Sequence, residues 1–465
     1  MPIKIGLVGY DGRTTAISAA LRRRSDVEVR VLSTWKGPDA WENPMDEVRE
    51  KALEFRPEFV VIGPEEPLAP KDPRDVGVVD MLQNELGIPC VGPTKSLARL
   101  EASKAFTRSL LAEFGIPGNP KYRVFSSMQG IKEWIESLDG YVVKPDGLTG
   151  GKGVQVSGVD IFDIDQALDY CAKVLASYPV RVVVVEEKLD GEEFSLMSFC
   201  DGDHVVDMVP VQDHKRLSEG DLGPNTGGMG SYSCEDHSLP FLSPEILAQA
   251  SEINALVGRA LKKKTGQPYK GILYGGFMVT AEGLRLLEYN ARFGDPETMN
   301  VLSVLETDLT DIFRAIINGT LDKLKIEFSR KATVCKYVVP EGYPDDPIKD
   351  VKIDLSDVPA DSSCLRFDAA VKQRPDGFFY LTGSRAIAFV GIGNDLSEAE
   401  SHAERAASAV HGPVFHRKDI GTRDLIQKRV RHLNELLGTG KLHVRLQPNL
   451  MQPNVCLQPI PMQPG

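Results

Sequence analysis

A chain of 465 residues with 42% hydrophobic residues, 42 Gly and 31 Pro is too long for one hydrophobic core, and at roughly 100 to 200 residues per domain it implies two to four domains rich in turns. A formal net charge of -12 argues against sequence-independent nucleic-acid binding, which needs surplus Lys and Arg to replace phosphate counterions. No stretch reaches the roughly 18 consecutive apolar residues of a membrane span, no signal-peptide core opens the chain, and the seven cysteines are scattered, so a soluble cytoplasmic protein with no nucleic-acid or membrane partner is expected.

The chain opens with short apolar strands alternating with helical patterns: strands at 3–9, 27–33 and 59–63, and helices from about Thr15 and around 46–55. Strand, helix, strand is the pattern of a parallel α/β unit. A further strand at 89–92 and one helix over 96–114 follow, with a domain boundary expected near Leu100. Beyond Pro117 the pattern changes to hairpins, with strands at 141–144, 153–157, 181–187 and 193–199 and a helix near 164–175. A helix over 244–264 precedes strands at 276–280 and 284–290 around the turn Ala281-Glu282-Gly283. Strands resume past about Phe328 and end in helices at 397–410 and 422–436. From about Gly438, repeated Gln-Pro dipeptides and few core-forming groups predict a disordered tail.

The densest glycine cluster, Lys144-Pro-Asp-Gly-Leu-Thr-Gly-Gly-Lys-Gly-Val154, lies between two predicted strands. It is not a Walker loop, because Gly147 stands three residues before Gly151-Lys152, Gly153 replaces the hydroxyl residue, and no helix follows. Glycines without Cβ still let backbone N–H groups approach a triphosphate, with Lys152 adding charge. An ordinary glycine hairpin fits the same pattern, and Lys104 and Lys144 are by themselves unremarkable lysines.

The segment from Leu286 to Thr298 is more informative. Residues two apart in a strand share a face, so Glu288 and Asn290 point the same way. Both carry hard oxygen donors suited to Mg²⁺ when phosphates and water complete the shell. Arg292 continues that side if the strand persists, where its guanidinium would stabilise charge on a transferring phosphoryl group.

Lys104, Lys144, the loop from Gly147 to Gly153, Val185-Glu-Glu-Lys-Leu-Asp-Gly-Glu-Glu193 and Glu288-Tyr-Asn-Ala-Arg-Phe-Gly-Asp-Pro-Glu-Thr298 stand in ATP-grasp order. With Gln212-Asp-His-Lys-Arg-Leu-Ser-Glu-Gly-Asp-Leu-Gly-Pro-Asn-Thr-Gly-Gly-Met-Gly-Ser-Tyr232 they make the chain resemble the phosphoribosylamine–glycine ligase family. Gly63-Pro-Glu-Glu-Pro-Leu68, Gly92-Pro93 and Thr382-Gly-Ser-Arg385 extend the resemblance from about Ile3 to beyond Gly421.

The resemblance implies an α/β and α+β multidomain fold: an N-terminal parallel α/β domain over 1–100, an ATP-grasp domain over 101–327 with a lid at about 122–190, and a C-terminal mixed α/β domain over 328–437. By the same resemblance Glu186, Glu187 and Leu189 would contact adenine, Glu193 the ribose, and Lys104, Lys144, Gly150, Gly151, Lys152 and Gly153 the phosphates of ATP. Glu288 and Asn290 would bind Mg²⁺ (or Mn²⁺). Asp213, Lys215 and Arg292 would act on the reacting groups, beside substrate contacts from Gly12, Arg13, Glu65, Pro67, Asn225, Thr226, Gly227, Gly228, Asp295, Pro296 and Arg385. The implied reaction joins glycine to 5-phosphoribosylamine in a monomer or homodimer. Two departures leave another amine substrate open: Thr14 and Thr15 stand where the family has Glu and His, and a charged insertion falls around 71–75. A nucleotide-binding regulator without catalysis is the remaining alternative.

Overall fold

The computed structural model describes residues 2–35, 41–70, 74–148, 153–177 and 181–438. The opening strands form a parallel sheet in the order Val27–Ser33, Ile3–Val8, Phe59–Ile62, Cys90–Val91, as the alternating pattern predicts. Parallel strands need crossover connections, which the helices Gly12–Leu21, Pro44–Phe55 and Val78–Asn84 supply, and Phe59–Ile62 is buried along its whole length.

The single helix expected over 96–114 is two, Lys95–Ala102 and Lys104–Glu113. Ser103 between them is extended, and its hydroxyl accepts from the Phe106 N–H at 3.0 Å and donates to Asp146 at 2.9 Å. Continuous apolar spacing hid this stop, because an N-cap serine satisfies the second helix better than another helical residue does. Ser103→Ala is expected to destabilise the protein by about 1 kcal/mol in urea unfolding at neutral pH; an unchanged midpoint would show that Asp146, which also accepts from the Ala105 N–H at 3.0 Å, caps the helix alone.

Residues 122–187 build a separate antiparallel sheet in the order Tyr122–Phe125, Val183–Glu187, Tyr141–Pro145, Gln155–Val156, with its own core around Ile131, Val143, Cys171 and Val183. Tyr141–Pro145 and Gln155–Val156 pair directly, so the glycine cluster connects a hairpin, as its flanks predict. Gly150, Gly151 and Lys152 lie outside the described residues, as do part of the 71–75 insertion and the Gln-Pro segment. A second antiparallel sheet runs Val205–Asp207, Gly191–Cys200, Gly271–Thr280, Gly283–Asn290, covered by the helix Pro244–Thr265.

A third antiparallel sheet is ordered Gln212–Asp213, Gly230–Ser233, Ala332–Pro340, Ile387–Gly393, Cys364–Asp368. Its first two strands come from a segment about a hundred residues before the third unit expected past Phe328. The segment 212–232 therefore stands between the second sheet and the third, with Tyr337 N–H donating to Met229 at 2.9 Å. Local periodicity carries no information about such long-range pairing. The helix Arg423–Gly438 returns to pack on Gly191–Cys200 and Gly271–Thr280.

Candidate active site

Strict alternation along Gly283–Asn290 would put Glu288 on the same side as buried Leu284 and Leu286. It does not, because the pairing with Gly271–Thr280 sets Leu286 opposite Phe277 and Glu288 opposite Gly276, leaving Leu287 as the extra residue of a bulge. Parity therefore flips: Tyr289 joins the buried side, while Glu288 is exposed and Asn290 half-buried on the other. Among the described residues no hydrogen bond engages the Glu288 carboxylate or the Asn290 side-chain amide, and no group of three or more His, Cys, Asp or Glu is placed to hold a metal alone. One carboxylate and one amide oxygen fit a hard cation whose remaining ligands are phosphate and water oxygens.

Cationic side chains converge on Glu288. Desolvation by the cleft walls pushes its carboxyl up, but Lys215, Lys104, Lys144 and Arg292 outweigh that and hold it below the usual range. Lys104 opens the helix Lys104–Glu113 and donates to the Gly147 carbonyl at 2.9 Å; desolvation pulls its ammonium down despite Glu288. Lys144 lies 2.7 Å from Glu186. Lys215 stands 3.4 Å from Glu193, and the charges of Glu193 and Asp213 hold it well above the usual lysine value. Asp213 is pushed up to about 7, chiefly by desolvation, with Lys215 opposing and Glu297, Glu193 and Glu288 adding to the rise.

Arg292 does not continue the face of Glu288 and Asn290. The strand ends at Asn290 because Glu101 accepts the Ala291 N–H at 2.8 Å, and Arg292 turns to pair with Glu101 at 3.0 Å and Glu65 at 3.3 Å. Glu65, held at about 2 against desolvation by Arg292 and Arg13, also reaches Arg13 at 3.4 Å. Arg13 in turn donates to Asp11 at 2.6 Å and to the Phe293 carbonyl at 2.9 Å. This chain of ion pairs ends at a cavity of about 350 Å³ whose lining includes Asp11, Asp295, Tyr337, Thr382 and Arg385.

Asp295 accepts from Tyr337 at 2.7 Å and pairs with Arg385 at 3.2 Å, while its buried Oδ2 has no hydrogen-bond partner among the described residues. Arg385 also donates to the carbonyls of Gly227 at 2.6 Å, Gly228 at 3.1 Å and Asp295 at 3.0 Å. Gly12, at the start of its helix, must be glycine because a Cβ there would lie 2.3 Å from the Tyr337 hydroxyl.

Family models of phosphoribosylglycinamide synthetase match in succession: the N domain over residues 3–101, the ATP-grasp (A) domain over 102–298 and the C domain over 333–423. The phosphoribosylamine–glycine ligase of Methanosarcina barkeri is 45% identical over 447 residues, covering 94% of this chain and 100% of the relative. The chain belongs to the phosphoribosylglycinamide synthetase family. The Methanocaldococcus jannaschii phosphoribosylamine–glycine ligase is 42% identical over 450 residues, covering 93% of this chain and 100% of the relative. The crystal structure of phosphoribosylamine–glycine ligase from Thermotoga maritima superposes with a TM-score of 0.73 at 27% identity, over 90% of this chain and 100% of that one. A Campylobacter jejuni biotin carboxylase, at 12% identity, shares the fold with a TM-score of 0.69 over 94% of this chain and 99% of that one. The multidomain α/β and α+β ATP-grasp architecture and the assignment as an ATP-dependent ligase are thus established by family.

Within this synthetase-family chain the other expected residues fall as follows. Glu186 is buried and takes a two-pronged pair from Arg108 at 2.6 and 3.0 Å besides Lys144, so its carboxylate is committed inside the protein. Glu187 accepts from the Lys121 N–H at 2.9 Å, and Leu189 is half-buried in the turn between Val183–Glu187 and Gly191–Cys200. Gly153 offers its carbonyl to Tyr170 at 2.8 Å. The Pro67 carbonyl accepts from Val78 at 2.8 Å, and Pro296 precedes the helix Glu297–Val304. Asn225 is exposed at the end of a hairpin strand, while Thr226 is buried and bonds to the Lys215 carbonyl at 2.8 Å.

Sequence reasoning missed Glu101, Arg108, Tyr337 and Glu297. Glu101 carried a signal, since a carboxylate in the last turn of the helix Lys95–Ala102 opposes the helix dipole unless it has a cationic partner. Glu297 is buried and accepts from Tyr274 at 2.6 Å.

Proposed function

We propose that this protein joins glycine to 5-phosphoribosylamine at the expense of ATP, giving glycinamide ribonucleotide, ADP and phosphate in de novo purine synthesis. The observation that carries the reading is that Glu288, faced by three lysines and Arg292, is linked through the ion pairs of Arg292, Glu65 and Arg13 to a polar cavity lined by Asp295 and Arg385. One part suits a metal-bound triphosphate and the other a phosphorylated amine, with ATP held between the sheet of residues 122–187 and the sheet that carries Glu288.

A carboxylate is a poor electrophile, so amide formation needs activation. A glycine carboxylate oxygen attacks the γ-phosphorus and the bond to the β-phosphate oxygen breaks, releasing ADP. Lys104, Lys144 and Lys215 offset the charge that gathers on the phosphoryl oxygens. Mg²⁺ or Mn²⁺ held by Glu288 and Asn290 would supply further charge neutralisation there. The amine nitrogen then attacks the carbonyl carbon of glycyl phosphate, and the carbon–oxygen bond to phosphate breaks. Asp213, with its carboxyl near neutrality, suits acceptance of the proton that the amine sheds.

Thr14 and Thr15 do not argue for a different amine. Thr14 donates to Asp11 at 2.7 Å and Thr15 to the Asp368 carbonyl at 2.7 Å, so both hydroxyls are used inside the protein. No helix among the described residues is long and apolar enough to cross a membrane, and a cytoplasmic site of action accords with the reading. Purified protein is expected to release ADP only when glycine and freshly generated phosphoribosylamine are both present. ADP release with other amines alone would overturn the substrate assignment, and tight ATP binding with no turnover on any amine would favour a regulator.

A further inference from the structure

The segment 212–232 projects a hairpin, Arg216–Ser218 paired with Leu222–Asn225, directly after Lys215. Its base is closed by Thr226, whose N–H reaches the Lys215 carbonyl at 2.7 Å. Beyond the base most of it is exposed, and a two-stranded hairpin is marginal without support. Support comes from the C-terminal end of the described chain. Arg417, 1% exposed, donates to the Arg216 carbonyl at 3.0 Å and to Asp221 at 3.2 Å. Asp419 accepts the Gly220 N–H at 2.8 Å. From the helix Arg423–Gly438, Arg429 reaches Asp221 at 2.6 Å.

The same arginine reaches the second sheet. Arg429 lies 3.5 Å from Glu192, which also takes His432 at 2.7 Å. Glu192 is buried, and its neighbour Glu193 projects from the opposite face of the strand, where it meets Lys215. Arg429 thus bridges the backs of the two elements whose fronts carry Glu193 and Lys215. Beside the hairpin root, His214 is buried with neither ring nitrogen hydrogen-bonded among the described residues, so the root is held by backbone bonds such as His214 N–H to the Gly230 carbonyl at 2.9 Å, while the side-chain anchorage of the hairpin comes from the outer clamp.

We propose that Arg429 is a positioning residue for the ligase reaction, which, through its joint hold on Asp221 and Glu192, sets where Lys215 stands in the cleft. The inference rests on the assignment of Lys215 to the reacting groups. A misplacement of about 1 Å in a group that stabilises the transition state costs on the order of a hundredfold in rate.

The test compares Arg429→Met, Arg429→Lys and Asp221→Asn in the full-length protein by hydrogen exchange and by ADP release with glycine and phosphoribosylamine. Arg429→Met is expected to speed exchange of the 216–226 amides at least roughly tenfold and to lower kcat roughly ten- to a hundredfold, with the KM for ATP within about twofold. Arg429→Lys should restore part of both, and Asp221→Asn, which also deprives Arg417 of its partner, should speed exchange at least as much as Arg429→Met. Unchanged exchange, faster exchange with undiminished kcat, or equal slowing with Arg429→Lys and Arg429→Met would each overturn the proposal. Should Arg429→Met not fold, Arg429→Lys against Asp221→Asn decides by the same readouts. If the unaltered protein turned over no amine, the proposed function would fail, while the exchange measurement would still judge the clamp.

Discussion

Glu288→Ala and Asn290→Ala are each expected to cut metal-dependent ADP release by roughly a hundred- to a thousandfold, the scale of losing one preorganised charge-stabilising group. Both side chains lie on the open side of the strand, without hydrogen bonds among the described residues, so the fold should hold to within about 0.5 kcal/mol. Glu288→Gln separates charge from shape: it keeps the oxygen donor and removes the anion that Lys104, Lys144 and Lys215 face. It should sit between the unaltered protein and Glu288→Ala and need more Mg²⁺ for half-maximal rate. Near-normal turnover of the alanine variants at saturating Mg²⁺, with unfolding midpoints unchanged, would reject the metal assignment.

Why a strand two residues from its end aims two oxygen donors at one place was only half legible in the sequence. Alternation predicts that Glu288 and Asn290 share a face, but not which face. The bulge at Leu287 decides that, and nothing in Leu286-Leu287-Glu288 announces it, because a bulge is set by the partner strand. The same limit hid the break at Ser103, where a cap competed with unbroken helical spacing. It also hid the pairing of 212–213 and 230–233 with 332–340, which no local pattern encodes. The parallel opening sheet, the hairpin of 271–280 with 283–290 and the terminal helix were legible because short apolar runs bounded by turn residues, and apolar residues at helical spacing, mark them locally. Arg292 would continue the Glu288 face only in a longer strand, and the strand stops at Asn290; its direction follows from Glu101, a residue nearly two hundred positions earlier.

The buried pair between Arg108 and Glu186 joins these features, and Arg108→Met is expected to destabilise the protein by about 3–5 kcal/mol, the usual cost of leaving one partner of a buried ion pair behind. Arg108 does more than pair. It donates to the Leu286 carbonyl at 3.0 Å and to the Leu287 carbonyl at 2.6 Å, so it satisfies backbone at the bulge that turns Glu288 toward the cleft, while Glu186 at its other side orients Lys144. Activity should therefore fall together with stability. The pH dependence has a definite sign. Desolvation raises the Glu186 carboxyl, but Arg108 and Lys144 outweigh it and lower it to about 2 from the ordinary 4.5. Its stabilising contribution is complete above about pH 4.5 and is lost as pH falls toward 2. With Arg108 gone the carboxyl should return upward, so the stability gap between the unaltered protein and Arg108→Met, read by urea unfolding, should be widest near pH 7 and narrow toward pH 3. A gap that stays constant over that range would mean that Arg108 acts through its bonds to the bulge carbonyls alone, and that Lys144 by itself keeps Glu186 ionised.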